Sequence, residues 1–304
     1  MNVSRRRFCG MAAAATVSAM SRKLAVGDVG SLRESSNMLN LGCMVWRIGD
    51  ILDFDRQVEW IVQAGFESIS FHASAGEAGK WRGIEPAATD QKERQRIKGL
   101  LSRFALREIH APLDAKLQRE TPSTIIERLE AVMRFAGDVG ATIVTVHAEP
   151  PSPGKEASVT AWHQALDRLD AAAAGAGARI GIEFNKGFEW LRKPRRKRIG
   201  ATLDVGHMYL RDGAGFRPYG TIGGLVRFLD NDLIHLHVHD YDGQSDHIEI
   251  GTGRVDFGDI LKGLADIGFR GALCLELNPD RCSPEGIRRS ADYLRKRANE
   301  LKLK

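Results

Sequence analysis

Cysteine, long apolar runs and low-complexity stretches are all scarce in this sequence of 304 residues. Its four cysteines show no CxxC or framework spacing, which excludes a disulfide scaffold and a cysteine-built zinc site. Cys9 lies in the amino-terminal segment. Cys43 and Cys274 fall on the first and last expected strands, where a bridge is conceivable but buried free thiols are the expectation. No segment approaches the ~20 apolar residues of a confident membrane span. No Pro- or Ser-rich linker divides the chain, and no glycine-rich phosphate loop follows the first strand to support a nucleotide-binding open sheet.

An excess of either charge is also lacking once the amino terminus is set apart. Ser4-Arg5-Arg6-Arg7-Phe8, the alanine-rich run from Met11 to Met20 and Val17-Ser18-Ala19 together resemble a twin-arginine export signal over residues 1–25, with a linker over 26–38. Export implies a periplasmic or cell-envelope location and folding before the membrane is crossed. That segment holds Arg5, Arg6, Arg7, Arg22 and Lys23 and no acid, so its removal takes the formal charge from +5 to zero. The cluster from Arg192 to Arg198 is then a local feature, expected to be a solvated loop rather than a nucleic-acid site. The expected partner is a small molecule, with no nucleic acid and no stable membrane span; nothing in the sequence sets an oligomeric state.

What the chain does have is alternation. Strand-like runs recur near 39–45, 66–72, 106–110, 142–148, 179–184, 199–204, 233–239 and 271–276. Helix-like stretches lie between them near 55–64, 90–104, 122–139, 157–174, 186–192, 221–230 and 257–267, with a last one near 284–300. Gly65, Gly140 and Gly268 stand where helices should stop before the next strand. Eight such repeats predict an α/β protein with a closed (β/α)8 TIM barrel over residues 39–304, a length that suits one such barrel.

Strand parity sharpens this, because alternate side chains face the barrel interior. Ile180, Ile182 and Phe184 should face outward and Gly181 and Glu183 inward; Thr202 and Asp204, His235, His237 and His239, and Cys274 and Glu276 follow the same rule. His72, His110 and His147 end strands two, three and four on the inner side. One strand-end carboxylate or histidine is ordinarily a cap or a hydrogen-bonded structural residue. Several gathered at one end of an apolar barrel are costly unless a cation compensates them. Glu183, Asp204, His237 and Glu276 therefore read as a mixed oxygen and nitrogen ligand set for one divalent metal, with Mn, Mg, Co and Zn all open.

These residues, in GIEF, DVGH, HVHDYDG, DHIEIGTG and LEL, resemble the xylose isomerase-like barrels, which include sugar isomerases and epimerases, inosose dehydratases and the endonuclease IV group. Similarity to the ketose epimerases implies a metal held by Glu183, Asp204, His237 and Glu276, with His207 at the substrate and the Gly251-Thr252-Gly253 turn as a positioning loop. Glu183 and Glu276 would then move protons on the two faces of a sugar or polyol ketone through a metal-stabilised enediolate. His72, His110, His147, His207 and His247 are the substrate-binding candidates, His110 and His147 to orient hydroxyls.

Three alternatives remain at this stage. The same enediolate could expel a β-hydroxyl, making a dehydratase or lyase. A zinc phosphodiesterase of the endonuclease IV kind is matched at most ligand positions but departs from the pattern at Ser245, where an aspartate is wanted, although Asp246 is adjacent. A non-catalytic carbohydrate-binding barrel is the third. The loops 73–86 and 211–220, with Trp46, Lys80, Trp81 and Arg82, are candidate selectors of substrate.

Overall fold

A computed structural model of the chain describes residues 39–304 apart from 119–120, 152–153, 193 and 303–304. The export signal and linker expected over residues 1–38 lie outside the described residues. Eight parallel strands, β1 (Asn40–Val45), β2 (Ser68–His72), β3 (Leu106–His110), β4 (Ile143–His147), β5 (Arg179–Glu183), β6 (Ile199–Asp204), β7 (Leu233–Val238) and β8 (Ala272–Leu275), pair in sequence order. β8 pairs back onto β1, with Gly42 opposite Cys274, which closes the barrel and rules out an open sheet.

The outer layer comprises α1 (Phe54–Gln63), α2 (Gln91–Leu101), α3 (Ser123–Val139), α4 (Glu156–Ala176), a single turn α5 (Leu210–Gly213), α6 (Ile222–Leu229), α7 (Phe257–Asp266) and α8 (Pro284–Glu300). Local chemistry starts and stops them. The side chains of Asp53, Asp90, Thr221, Asp256 and Ser283 each accept a backbone N–H from the first turn of the helix they precede. Gly65, Gly140 and Gly268 sit at positive φ where the sequence placed its helix stops. The stretch 186–192 departs from expectation: it is only a 3-10 turn over Phe188–Leu191, entered through Gly187 at φ 82°. A left-handed glycine at one end and Pro194 soon after the other leave no room for a regular helix there.

Parity holds inside the barrel. Phe184 is fully buried between Trp162 of α4 and Phe188 on the outer side. On the inner side Thr145 and Thr202 share a 2.8 Å hydroxyl hydrogen bond across β5, and Gly181 leaves the space for it. Parity also keeps Cys43 and Cys274 apart. Gly42 faces the Cys274 thiol, so Cys43 points to the opposite side of the sheet, and both thiols are free.

A Cβ at position 181 would stand 1.9 Å from Thr202 Oγ1. Gly181→Ala should therefore cost about 1–3 kcal/mol through overpacking. Thermal unfolding monitored by circular dichroism checks this, and an unchanged midpoint would refute the packing argument.

Candidate metal centre and active site

Every candidate side chain comes from a carboxyl-terminal strand end or the loop just beyond it, so all open onto one mouth of the barrel. Glu183, Asp204 and His237 present ligand atoms within 4.8 Å of one another. His237 Nδ1 lies 3.4 Å from Glu183 Oε2 and 3.0 Å from Glu276 Oε2, so the fourth predicted ligand meets the set through this histidine and groups with it and His110.

The donor count tests whether a cation fits. Glu183 Oε2, Asp204 Oδ2 and His237 Nδ1 are buried, and none makes a hydrogen bond. Imidazole nitrogens come close, His147 Nε2 at 3.2 Å from Glu183 Oε2 and His207 Nδ1 at 3.1 Å from Asp204 Oδ2, but without hydrogen-bond geometry, so lone pairs converge in an arrangement that suits a divalent ion. The second oxygen of each glutamate turns elsewhere. Glu183 Oε1 is 3.5 Å from His207 Nδ1, and Glu276 Oε1 is 3.9 Å from His247 Nε2. Each glutamate can hold a cation with one oxygen and keep the other for a proton.

Asp204 is held from behind. Its Oδ1 accepts the His207 backbone N–H at 2.9 Å and lies 2.8 Å from His239 Nε2, leaving Oδ2 for the mouth. The closeness of Gly206 to the His239 ring, which an added Cβ would meet at 2.0 Å, explains the glycine in DVGH. The loop after β7 is organised by Asp240. Its carboxylate accepts the backbone N–H groups of Tyr241, Gly251, Gly253 and Val255 at 2.8–3.0 Å. The Gly251-Thr252-Gly253 turn is therefore folded around a buried carboxylate, and a Cβ on Gly253 would strike it at 2.3 Å. This loop delivers Asp246 and His247. His247 takes a left-handed backbone, φ 52°, its N–H donated to His239 Nδ1 at 2.8 Å and its ring stacked on His239 with centroids 3.9 Å apart.

The other candidates divide. His147 and His110 place Nε2 at 3.2 and 3.6 Å from Glu183 Oε2, and the three offer ligand atoms within 4.8 Å. His110 Nδ1 faces the Ala111 carbonyl at 2.8 Å, so Nδ1 carries a proton and Nε2 is turned to the mouth. His72 is drawn away from this group. Its Nε2 accepts from the Trp46 indole, and its ring lies between Trp81 and His110, forming a wall of the site. Two groups escaped the sequence reading. His239 was placed inward but given no role, and Glu108, buried on β3, touches both His235 and His237. Period-2 parity from His110 pointed Glu108 inward and was the signal that could have found it.

Burial and opposing charge compete throughout. Burial alone would raise Glu183 and Glu276, but the surrounding histidines hold both well below the usual carboxylate range. His207 moves the other way: burial works against its charge, yet Asp204 and Glu183 carry it up to about 10. His72, whose burial dominates, falls to about 3 and is neutral.

A cavity of about 310 Å³ opens beside Glu183, lined among others by Lys116, His147, Asn185, Lys186 and His207. It is at the small end of the range typical of small-molecule sites. A larger groove of about 1180 Å³ lies outside the barrel along α3 and α4, lined by Arg94, Arg134 and Asp138 among others. It shares no residue with the histidine and carboxylate set and is not the place of the chemistry. The cluster 192–198 leads into β6 from the opposite end of the barrel, with Arg192 and Arg195 paired to Asp232 and Arg196 to Asp167.

Such a barrel, with a buried histidine and carboxylate basin at its mouth, defines the class. The chain belongs to the xylose isomerase-like TIM barrel family, whose sequence model matches residues 58–297. Among solved structures it is similar to a xylose isomerase domain protein from Planctomyces limnophilus, at 16% identity and a TM-score of 0.66 over 86% of this chain and 98% of that one. It is similar to a D-psicose 3-epimerase from Clostridium cellulolyticum H10, at 13% identity and 0.65 over 85% and 99%. The 3-keto-D-glucoside 4-epimerase from E. coli gives 14% identity and 0.65 over the same shares, 85% and 99%. At these identities the likeness is one of fold. Among curated proteins, an uncharacterized protein of Methanocaldococcus jannaschii is 31% identical over 101 residues; the match spans about a third of each chain, 32% of both.

Metal-free protein titrated with Mn, Co or Zn should take up one divalent ion per chain. His237→Ala and Asp204→Asn should weaken uptake by more than the ~100-fold typical of losing a ligand's outer partner. Calorimetry and elemental analysis read both, and wild-type affinity retained in either variant would refute the ligand assignment.

Proposed function

We propose that the protein is a divalent-metal-dependent epimerase or isomerase acting on a sugar or polyol ketone. The observation that carries this is the split of each glutamate, one oxygen at the shared His237 Nδ1 position and the other free in the mouth. A divalent ion bound among Glu183, Asp204, His237 and Glu276 would polarise a ketone oxygen and ease the build-up of charge on it.

The protein's own groups do the rest. Glu183 Oε1, ionised and beside His207, removes the proton from the carbon next to the ketone. Glu276 Oε1, near His247, stands on the neighbouring flank of the mouth and serves the other face of that carbon. Return of a proton there inverts the centre; return at the old carbonyl carbon isomerises the sugar. His207, held charged by two carboxylates, donates to a substrate oxygen. The named activities of the structural relatives support this substrate class, since a 3-epimerase of a 2-ketose and a 4-epimerase of a 3-keto-glucoside both invert the carbon adjoining a ketone. The Ser4-Arg5-Arg6-Arg7-Phe8 motif supports placing the reaction in the periplasm or cell envelope.

One observation favours a second reading, metal-assisted phosphodiester hydrolysis: His110, His147 and Glu183 form a further trio of ligand atoms. Against it stand Ser245 in place of an aspartate and the pairing of Arg192, Arg195 and Arg196 with acids far from the mouth. Metal content separates the two, one ion per chain for ketone chemistry and three for phosphodiester cleavage.

Incubation with ketopentoses, ketohexoses and 3-keto-glycosides in deuterated water should place deuterium at the carbon beside the ketone of at least one substrate, seen by proton NMR. Glu183→Gln and Glu276→Gln should each lower that exchange about 10²–10⁴-fold while sugar binding persists. Loss of water from the substrate would redirect the assignment to a dehydratase, and undiminished exchange in both variants would refute the glutamate roles.

A further inference from the structure

We propose that Glu108 is a positioning residue that anchors His237 through Nε2 and thereby turns Nδ1 to the mouth as a metal ligand; this rests on the metal-dependent reading above and deepens it. Glu108 is 1% exposed, one layer below the mouth on β3, where an unanswered carboxylate would be prohibitive. Its neighbours supply the answer. Oε1 lies 2.8 Å from His237 Nε2, and Oε2 lies 2.7 Å from His235 Nε2.

A carboxylate only accepts, so the nitrogen facing Oε1 is the one that carries hydrogen. With a cation in the mouth, the other nitrogen of the same ring is the one left to bind it. That nitrogen is Nδ1, 3.0 Å from Glu276 Oε2 and without a hydrogen bond. Without Glu108 the ring has no anchor on its far side, and Nδ1 is no longer held toward Glu183 and Glu276.

Strand geometry makes this possible. Glu108 and His110 share the inner face of β3, as His235 and His237 share that of β7, so a Glu-x-His and a His-x-His meet across the barrel. His235 Nε2 stands 2.7 Å from the second oxygen, close to it but without the geometry of a hydrogen bond. A histidine ligand whose other nitrogen donates to a carboxylate is better oriented and more basic, and losing the carboxylate costs about 10–100-fold in metal affinity.

Glu108→Leu removes the acceptor at similar volume, and Glu108→Gln keeps an acceptor for His237 without the charge. In zinc-loaded protein labelled with ¹⁵N at histidine, the ring shifts of wild type should report hydrogen on His237 Nε2 and the metal on Nδ1, and those of Glu108→Leu a mixture of the two arrangements. Calorimetric titration with Mn should show a 10–100-fold loss for Glu108→Leu and a smaller one for Glu108→Gln, with unfolding of the metal-free proteins close to wild type. Wild-type affinity in a folded Glu108→Leu protein overturns the inference and leaves the proposed function standing. Zinc on His237 Nε2 in wild type overturns it even if that variant does not fold. A second ion lost in His235→Gln overturns it by putting a metal where the inference puts protons. Absence of Mn, Co and Zn binding by wild type overturns the inference and the proposed function together.

Discussion

Uncompensated negative charge inside an apolar cylinder is the constraint on which this structure turns. Glu108, Glu183, Asp204 and Glu276 are all at least 95% buried, and each is held in its ionised form by imidazoles around it. Burial by itself would protonate them. Compensation comes in two layers. In the lower one Glu108 lies against His235 and His237; in the upper one histidine rings surround the three mouth carboxylates, yet Glu183 Oε2 and Asp204 Oδ2 keep no hydrogen bond. The small inward residues beneath, such as Gly181 and Gly200, are what let so many polar groups stand there.

The same constraint explains the loops. A left-handed His247 and a turn wrapped on Asp240 are expensive local choices, tolerated because the rigid barrel below supplies fixed anchors. Asp240 satisfies four backbone N–H groups with one carboxylate, so its own charge is spent on folding and not on chemistry. Asp240 and Asp204, each beside a strand end, thus have separate tasks, although composition alone cannot tell them apart.

Much of this was legible in the amino-acid sequence because both periods are strong. Alternation by two set the strands and the inward direction of Glu183, Asp204, His237 and Glu276, and glycine marked the helix ends. The helix expected over 186–192 was misread because Phe188, Trp190 and Leu191 mimic an apolar helical face, while Gly187 and Pro194 cut it short. Glu108 escaped because it follows Arg107 in LREIH, a pair that reads as solvent-facing charge; its partners lie on β7, 127 and 129 positions onward, and only barrel closure brings them together. Asp240 escaped as an organiser because its donors lie up to fifteen residues ahead in an irregular loop.

Substrate identity is carried by a different kind of information. If a proton leaves the carbon beside a ketone, epimerisation, isomerisation and elimination share that first step, and the outcome depends on which acid is nearest to which carbon or hydroxyl afterwards. The barrel fixes the common step through residues at strand ends. The divergent step belongs to groups just above, Lys116 from the loop after β3, Asn185 and Lys186 from the loop after β5, and His247 from the loop after β7. Lys116 is already paired to Glu149 at 2.6 Å, which leaves Lys186 as the cationic side chain in that cavity without a pair among the described residues. A lysine on the β5 side, next to Glu183 and opposite the aromatic wall of Trp46 and His72, makes the mouth unequal on its two flanks.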